Sequence, residues 1–311
     1  MDVAFIFPGQ GSQKVGMGLE LAQAYTVARD TFDEADSFLG RRLSQLCFDG
    51  PDELLKQTEN TQLAILTCSV AALRVLRQLN IASTIVAGHS LGEHSALVAA
   101  GVFSFTDALK LIEYRARFMA EASLQQDCTM AAVLGLEEKR LETLCEEVKS
   151  VGIVEIANYN CPGQLVISGE TAAVQRLIST AKANGAKRCR PLAVSGAFHS
   201  SLMESARAQL ESVIAEFSFN KPQIGFVANV TGECVQTPDE IRQLLVAQVT
   251  SPVQWEKSIR TMGVAGISHF VEVGPGNVLS GMVRRTLPRS VCLNVEDPDS
   301  LGKTVDAMGQ A

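Results

Sequence analysis

The stretch Ser83–Gly101, Ser-Thr-Ile-Val-Ala-Gly-His-Ser-Leu-Gly-Glu-His-Ser-Ala-Leu-Val-Ala-Ala-Gly, decides the fold of this chain. Thr84–Val86 is a β-branched run typical of a strand. Gly88–Gly92 follows as a tight turn, and the Ala- and Leu-rich segment after it is typical of a helix that ends at Gly101. Strand, sharp turn and helix in this order form a nucleophile elbow. We therefore predict an α/β-hydrolase-like core with a parallel sheet.

Ser90 stands at the tip of this turn. A serine in so tight a turn has a strained backbone, and the glycines at positions 88 and 92 leave room for it. Its hydroxyl is then expected at the N-terminus of the following helix, where free N–H groups favour negative charge on a substrate oxygen. Two interpretations stay open from the pattern alone: a nucleophilic serine, or a Gly-Ser-Gly turn without chemistry.

The composition is that of a globular protein, with 311 residues of which 46% are hydrophobic. A formal net charge of −7 argues against nucleic acid as a general partner, because phosphate binding needs a basic surface. The eight cysteines form no C-x-x-C pair, so we expect neither a disulfide framework nor a zinc or other metal site. No apolar run approaches a membrane span, and Met1–Pro8 lacks the basic start of a secretion signal, so we expect a cytoplasmic protein.

A second glycine-rich turn, Pro8–Gln13, follows the apolar strand Val3–Phe7. It is not a phosphate loop, because Lys14 stands where G-x-G-x-x-G requires its third glycine and no G-K-[ST] follows. Two interpretations remain for this turn. It either directs a backbone N–H or the Gln10 amide into a cleft, or it is a plain connection.

The helix predicted over Thr106–Ser123 carries a charged residue on its apolar face. Arg115 lies within the stripe of apolar residues Ala108, Leu111, Ile112, Phe118, Met119 and Ala122. A buried guanidinium needs an anion, because an unpaired buried charge is very costly. The anion is either an internal carboxylate or a substrate carboxylate, which the planar guanidinium binds with two hydrogen bonds. A side chain that reaches solvent at the rim is the third option.

From Met130 the pattern changes to β-α-β-β-α-β. The predicted strands are 130–134, 153–157, 164–168 and 190–194, and the predicted helices are 137–149 and 171–184. This order is that of the ferredoxin-like unit. We therefore predict a discontinuous catalytic core formed by residues 1–127 and 196–311, an inserted ferredoxin-like domain over residues 128–195, and a cleft between them.

His199 follows this insertion, between the end of a strand and the start of a helix. His89 and His94 flank the elbow and His269 lies in an apolar strand, so His199 is the histidine best placed as a loop base. A role in ending the helix is the open alternative. Further strands are predicted over 226–230, 248–255, 270–278 and 291–295, and the turn at 274–276 leads into a last major helix. Ahead of the elbow, helices are predicted over 19–37 and 62–78.

Several stretches together resemble one family, the malonyl-CoA:acyl carrier protein transacylases of fatty acid synthesis and the related acyltransferase domains of polyketide synthases. Each stretch is weak alone, whereas the set in register is specific. In chain order they are Phe7–Gln13, Gly88–Glu93, the Arg115 helix, Asn158–Asn160, Gln164–Gly169, Gly196–Ser200, Gln248 with Pro252 and Val253, and Glu272–Gly276.

The resemblance implies catalytic roles. Ser90 is the nucleophile and His199 its general base, and a carbonyl of Gln248 orients the imidazole in place of the usual acid. The backbone N–H groups of Gln10 and Leu91 form the oxyanion hole.

The same resemblance implies a binding site for the acyl group. Arg115 binds the free carboxylate of a malonyl group. Asn160 and Gln164 lie near the cleft, where a purely structural role at the domain junction is the alternative. Phe198 fits a small malonyl pocket.

The implied reaction moves a malonyl group from malonyl-CoA to Ser90 and then to the phosphopantetheine thiol of acyl carrier protein, without a permanently bound cofactor. The alternatives are a serine hydrolase or thioesterase, a trans-acting acyltransferase of a polyketide synthase, and a non-catalytic docking subunit. Lys187, Arg188 and Arg190 form either a docking edge for the acidic carrier protein or a solvated face. We expect a monomer.

Overall fold

The computed structural model describes residues 2–194 and 196–309. In these ranges the strands are β1 (Val3–Phe7), β2 (Ile85–Gly88), β3 (Cys128–Leu134), β4 (Val154–Cys161), β5 (Gln164–Glu170), β6 (Arg188–Pro191), β7 (Gly225–Val227), β8 (His269–Val273) and β9 (Val291–Val295). The helices are α1 (Leu19–Ala24), α2 (Thr26–Leu39), α3 (Leu43–Asp49), α4 (Asp52–Leu55), α5 (Thr58–Gln78), α6 (Gly92–Ala99), α7 (Phe105–Ser123), α8 (Glu138–Val148), α9 (Thr171–Ala183), α10 (Glu204–Ile214), α11 (Pro238–Gln248), α12 (Trp255–Val264), α13 (Val278–Thr286) and α14 (Pro298–Gly309). None of these helices is long and apolar enough to cross a membrane.

A parallel sheet with the strand order β7-β2-β1-β8-β9 forms the centre of the larger part. Its strands are apolar on both faces because helices cover both. Phe5 and Phe7 pack into one core cluster, whereas the alternate residues Ala4 and Ile6 pack into the cluster on the other face. β1 and β2 end side by side, with Phe7 opposite Gly88. The two glycine-rich turns that follow these strands therefore meet at one edge of the sheet.

The smaller sheet is antiparallel, with the order β4-β5-β3-β6. Helices α8 and α9 pack on one face through Leu141, Leu144, Val174 and Leu177. The strand order and the β-α-β-β-α-β sequence confirm the predicted fold class, a mixed α/β protein with a parallel sheet and a separate ferredoxin-like antiparallel sheet. The exact domain limits stay a prediction, and Ser195, where the predicted insertion ends, lies outside the described residues.

The sequence reading was wrong at several element boundaries. Residues 248–255 form no strand, because Gln248 is the last residue of α11 and Trp255 is the first residue of α12. The β-branched residues between these helices make only an isolated bridge, in which Val253 exchanges backbone hydrogen bonds with Ala157 and Tyr159.

Three smaller corrections concern helices and an edge strand. The helix expected from Leu19 is divided at Tyr25, whose backbone is extended (φ −129°, ψ 119°). Helix α14 follows α13, which was predicted to be the last major helix. Strand β6 covers Arg188–Pro191 rather than 190–194.

Candidate active site

The elbow presents Ser90 on a strained backbone. Its φ is +51°, a left-handed conformation that residues with a Cβ rarely adopt. The flanking glycines permit it: a Cβ on Gly88 would lie 1.9 Å from the backbone of Gly92, and a Cβ on Gly92 would lie 2.0 Å from the carbonyl oxygen of Phe7. Strain of this kind persists where the surrounding structure enforces it, commonly at functional sites.

Ser90 and His199 form a hydrogen-bonded pair. The Oγ of Ser90 lies 2.7 Å from Nε2 of His199, and Nδ1 of His199 lies 2.8 Å from the main-chain oxygen of Gln248. A carbonyl oxygen only accepts, so Nδ1 carries the proton and Nε2 presents its lone pair to the serine hydroxyl. His199 also has a positive φ, +58°, in the turn that leads into the 3₁₀ segment Ser201–Met203.

Arg115 is buried beside this pair, with an exposed fraction of 2%. It donates from Nη1 to the side-chain oxygen of Gln62, and its Nη2 lies 2.9 Å from Oε1 of Gln248 and 3.3 Å from Oγ of Ser90. Its Nε has no partner among the described residues.

These contacts bear on the alternatives left open for Arg115. The internal partners are neutral amides and a hydroxyl, and no carboxylate of the described chain lies within ion-pair distance. Arg115 also does not reach solvent. The charge of Glu93, on the far side of the Gln248 amide, acts on Arg115 without a direct contact. The contacts therefore favour an anion that enters with the substrate as the direct partner, because neutral acceptors solvate a buried guanidinium without neutralising it.

Gln10 and Leu91 belong to the same cavity as the serine. Both residues line it, and neither backbone N–H donates a hydrogen bond to any described residue. The two turns approach closely, since a Cβ on Gly9 would lie 2.4 Å from the carbonyl oxygen of His89. The side chain of Gln10 is held by Thr58, whose hydroxyl donates to Oε1 at 3.0 Å. These contacts favour the interpretation in which the turn contributes to the cleft.

The cavity has a volume of about 210 Å³ and lies between the two sheets. Met130, Ala132 and Val166 line it from the small sheet, and Leu279 and Met282 line it from α13. Its walls are mainly apolar, and its polar groups converge on Ser90, as is typical of a ligand site.

Three other predicted site residues, Asn160, Gln164 and Phe198, also line this cavity. Oδ1 of Asn160 accepts a hydrogen bond from Nε2–H of His89 at 2.9 Å, which links the small sheet to the elbow. Gln164 accepts a hydrogen bond from Arg285 at 2.9 Å, and Phe198 is buried next to His199. Gln248 does not line the cavity and is fully buried. No group of three metal-ligating side chains is found within 2–194 and 196–309.

Residues 4–306 match the family model described as "Acyl transferase domain". The chain belongs to this acyl transferase family.

Named relatives resemble this acyl transferase over almost their whole length. The malonyl CoA-acyl carrier protein transacylase of Bacillus subtilis (strain 168) is 42% identical over 307 residues, covering 98% of this chain and 97% of the relative. The protein of the same name from Escherichia coli (strain K12) is 43% identical over 304 residues, covering 97% of this chain and 98% of the relative.

Solved structures give the same match. A malonyl-transacylase in complex with a holo type II polyketide synthase acyl-carrier protein superposes with a TM-score of 0.96 at 40% identity, covering 99% of this chain and 100% of that chain. The malonyl CoA-acyl carrier protein transacylase from Clostridium perfringens ATCC 13124 gives a TM-score of 0.96 at 39% identity, covering 100% of this chain and 98% of that chain.

Burial sets the protonation states in the site of this acyl transferase. Burial first, and then the nearby Arg115 charge, lower the pKa of His199 to about 3, against the opposing effect of the Gln248 carbonyl. The imidazole is therefore neutral at neutral pH, as a proton acceptor must be. Burial likewise lowers the pKa of Arg115 to about 10, so that the guanidinium stays charged there.

Sequence reasoning missed three buried polar residues around the site. Asn229 accepts from the backbone N–H of Ser90 at 2.7 Å and donates to the carbonyl of Gly88 at 2.6 Å, and so clamps both sides of the elbow. Gln62 contacts Arg115, and Glu93 contacts Asn229 and Gln248. The one available signal was Gln62, a polar residue among apolar neighbours on the predicted helix 62–78.

Proposed function

We propose that this acyl transferase moves a malonyl group from malonyl-CoA to the phosphopantetheine thiol of an acyl carrier protein, through an ester on Ser90. The observation that carries the proposal is the position of Arg115, buried and without a carboxylate partner, 3.3 Å from the serine oxygen. A malonyl ester on Ser90 brings its free carboxylate within a few ångströms of the ester. A charged guanidinium beside the serine favours that acyl group over an uncharged one.

In the first half-reaction the Oγ of Ser90 attacks the thioester carbonyl of malonyl-CoA, and the hydroxyl proton moves to Nε2 of His199. The carbonyl oxygen becomes an oxyanion, which the backbone N–H groups of Gln10 and Leu91 stabilise. The carbon–sulfur bond then breaks, and the proton on His199 passes to the sulfur of CoA. The malonyl group remains on Ser90 as an ester.

The second half-reaction reverses these steps with a new thiol. His199 accepts the proton of the phosphopantetheine thiol, the thiolate attacks the ester, and Ser90 recovers its proton as the carbon–oxygen bond breaks. No step needs a redox cofactor, because thioester and ester exchange without a change of oxidation state. The main-chain oxygen of Gln248 keeps His199 in one tautomer throughout.

The acyl pocket has to protect this ester from water. Arg115 holds the malonyl carboxylate, so that the carbonyl stays at the two N–H groups. Asn160 and Gln164 line the approach from the small sheet, and Phe198 closes the pocket beside His199. The mainly apolar walls leave few positions where water is held for attack.

Carrier-protein docking is proposed at the edge strand β6. Lys187, Arg188 and Arg190 are exposed, and no acidic side chain of the described chain pairs with them. Arg190 stands opposite Ala132, a residue that lines the cavity, and residues paired across two strands share a face. The guanidinium therefore stands on the cavity face, where an acidic carrier protein would deliver its thiol.

The competing enzyme class is a serine hydrolase or thioesterase. Such enzymes usually orient their histidine with an acid, whereas His199 is held by a carbonyl. Acyl carrier proteins serve both fatty acid and polyketide synthesis. We propose fatty acid synthesis as the pathway, and a trans-acting role beside a polyketide synthase is the alternative. The monomeric state stays a prediction.

The experiment that tests the proposed function follows CoA release from malonyl-CoA with and without holo acyl carrier protein. We expect a single burst without the carrier protein and continuous turnover with it, accompanied by malonyl-carrier protein. Continuous CoA release without an acceptor thiol would identify a hydrolase. Absence of any burst would favour the non-catalytic docking subunit.

A further inference from the structure

Glu93 is a buried carboxylate that takes no part in the proposed reaction. It lies in the first turn of α6, and only 2% of its surface is exposed. Its Oε1 accepts a hydrogen bond from the backbone N–H of Asn229 at 2.8 Å, and its Oε2 accepts from Nε2 of Gln248. Burial raises its pKa to about 8 against the two hydrogen bonds and the Arg115 charge, which lower the pKa. Each oxygen faces an N–H donor, which is the arrangement that suits the ionised form.

Arg115 determines which side-chain atom of Gln248 accepts a hydrogen bond and which donates one. A guanidinium only donates, so Gln248 has to present Oε1 to Arg115, at 2.9 Å. The Nε2 of Gln248 then points the other way, to Glu93 and to the main-chain oxygen of Ser90 at 3.0 Å. Both of these partners are acceptors. A carboxylate at position 93 therefore matches the only amide orientation that suits Arg115.

Gln248 connects this carboxylate to both functional side chains. Its side-chain oxygen contacts Arg115, and its main-chain oxygen contacts Nδ1 of His199 at 2.8 Å. A turned amide would place an NH₂ group against the guanidinium and leave two donors facing each other. The guanidinium would then have to move away from the serine.

We propose that Glu93 is a positioning residue, which fixes the Gln248 amide and through it places Arg115 for acyl groups that carry a carboxylate. The inference rests on the proposed function, and it assigns to Glu93 a part in the enzyme's selectivity for malonyl over acetyl groups. Glu93 acts through Gln248 and touches no substrate.

The test is Glu93→Gln, which keeps the shape and replaces one acceptor oxygen by an NH₂ group. That NH₂ group faces a donor whichever way it points, either Asn229 N–H or the Gln248 amide. We measure the rate of Ser90 acylation by malonyl-CoA and by acetyl-CoA, which lacks the carboxylate. The malonyl rate should fall by about tenfold to a hundredfold, the range for losing a hydrogen bond to a charged group, and the acetyl rate much less.

A matched control is Glu272→Gln. Glu272 is a fully buried carboxylate that also accepts two N–H groups, those of Leu279 at 3.0 Å and Ser280 at 2.8 Å. It has no contact with Gln248. This variant should lose thermal stability without changing the ratio of malonyl to acetyl rates.

Gln248→Met tests the same inference if Glu93→Gln does not fold. It removes the amide and keeps the main-chain oxygen that faces His199. We expect the same loss of malonyl preference in this single variant. Where both single variants fold, the double variant should show no further loss, because Glu93 acts through this amide. A wild-type malonyl to acetyl ratio in either single variant, or additive losses in the double variant, would overturn the inference. Failure of the wild-type protein to accept malonyl would instead overturn the proposed function, and this inference with it.

Discussion

Arg115 and Ser90 lie side by side in the buried site, with Nη2 of the guanidinium 3.3 Å from the serine oxygen. The serine alone is common to hydrolases and transferases. Under the proposed function, the cation next to the serine favours acyl groups that carry a negative charge near the carbonyl.

Arg115→Ala should therefore weaken malonyl transfer by about 2 to 5 kcal/mol in transition-state free energy, the range for truncating one partner of a buried charge pair. Acetyl transfer should change less, since acetyl offers no carboxylate. The measurement is kcat/KM for both acyl-CoA donors. Arg115→Lys is the control, because it keeps the charge but not the planar pair of donors. An unchanged preference for malonyl in Arg115→Ala would refute the carboxylate role.

Gly92→Ala should disrupt the elbow. The added Cβ would lie 2.0 Å from the carbonyl oxygen of Phe7 and 2.8 Å from that of Pro8, both parts of the backbone. We expect a loss of about 1 to 3 kcal/mol in the free energy of unfolding, the usual result of overpacking, together with slower acylation. Gly302→Ala in α14 is the matched control, since nothing lies within 4 Å of its Cβ. That variant should be stabilised by about 0.5 to 1 kcal/mol. Equal stability of the two variants in denaturant unfolding would contradict the packing argument.

The acylation rate should stay constant as the pH falls well below 6.5. Protonation of His199 removes the base, and burial together with the Arg115 charge lowers its pKa to about 3. The unfolded chain binds this proton near the ordinary value of 6.5, so the folded state loses stability as the pH falls from 6.5 towards 3. Rates must therefore be taken by rapid mixing, before unfolding. In Arg115→Met the acylation rate should start to fall at a higher pH than in the wild-type protein, because the Arg115 charge lowers the pKa of His199. A wild-type rate that falls with a midpoint near pH 6.5 would show that the imidazole is not buried as described.

Reversing the charge at Arg188 and Arg190 should raise KM for the carrier protein and reduce its dependence on salt. The physical reason is the loss of attraction between a basic edge and an acidic partner. The first half-reaction with malonyl-CoA serves as an internal reference. Arg176→Glu is the control, because this exposed residue belongs to α9, on the other face of the same sheet. A carrier-protein KM that is indifferent both to salt and to these changes would exclude this docking edge.

The local parts of the site could be predicted from sequence because each follows from a short pattern. The elbow needs only a strand, two glycines around Ser90, and a helix. Arg115 stood out as a charge within an apolar stripe, and the structure places it in the core. The ferredoxin-like order was visible as alternating elements, although β6 begins two residues earlier than predicted.

Long-range polar contacts could not be predicted in this way. Asn229 is 136 residues from Glu93 and 139 from Ser90 in the chain, and no periodicity links them. A strand was predicted over 248–255, where three of the eight residues are β-branched, whereas Gln248 ends a helix. The role proposed for the Gln248 carbonyl came from the family resemblance. In the structure this carbonyl oxygen lies 2.8 Å from Nδ1 of His199.

The most direct test of the central claim is mass spectrometry of the protein after brief exposure to equal concentrations of malonyl-CoA and acetyl-CoA. We predict one malonyl group on the peptide that contains Ser90, little acetyl adduct, and no adduct in Ser90→Ala. A malonyl adduct that persists in Ser90→Ala, or malonyl and acetyl adducts in equal amounts on the wild-type protein, would contradict a serine that carries malonyl under the control of Arg115.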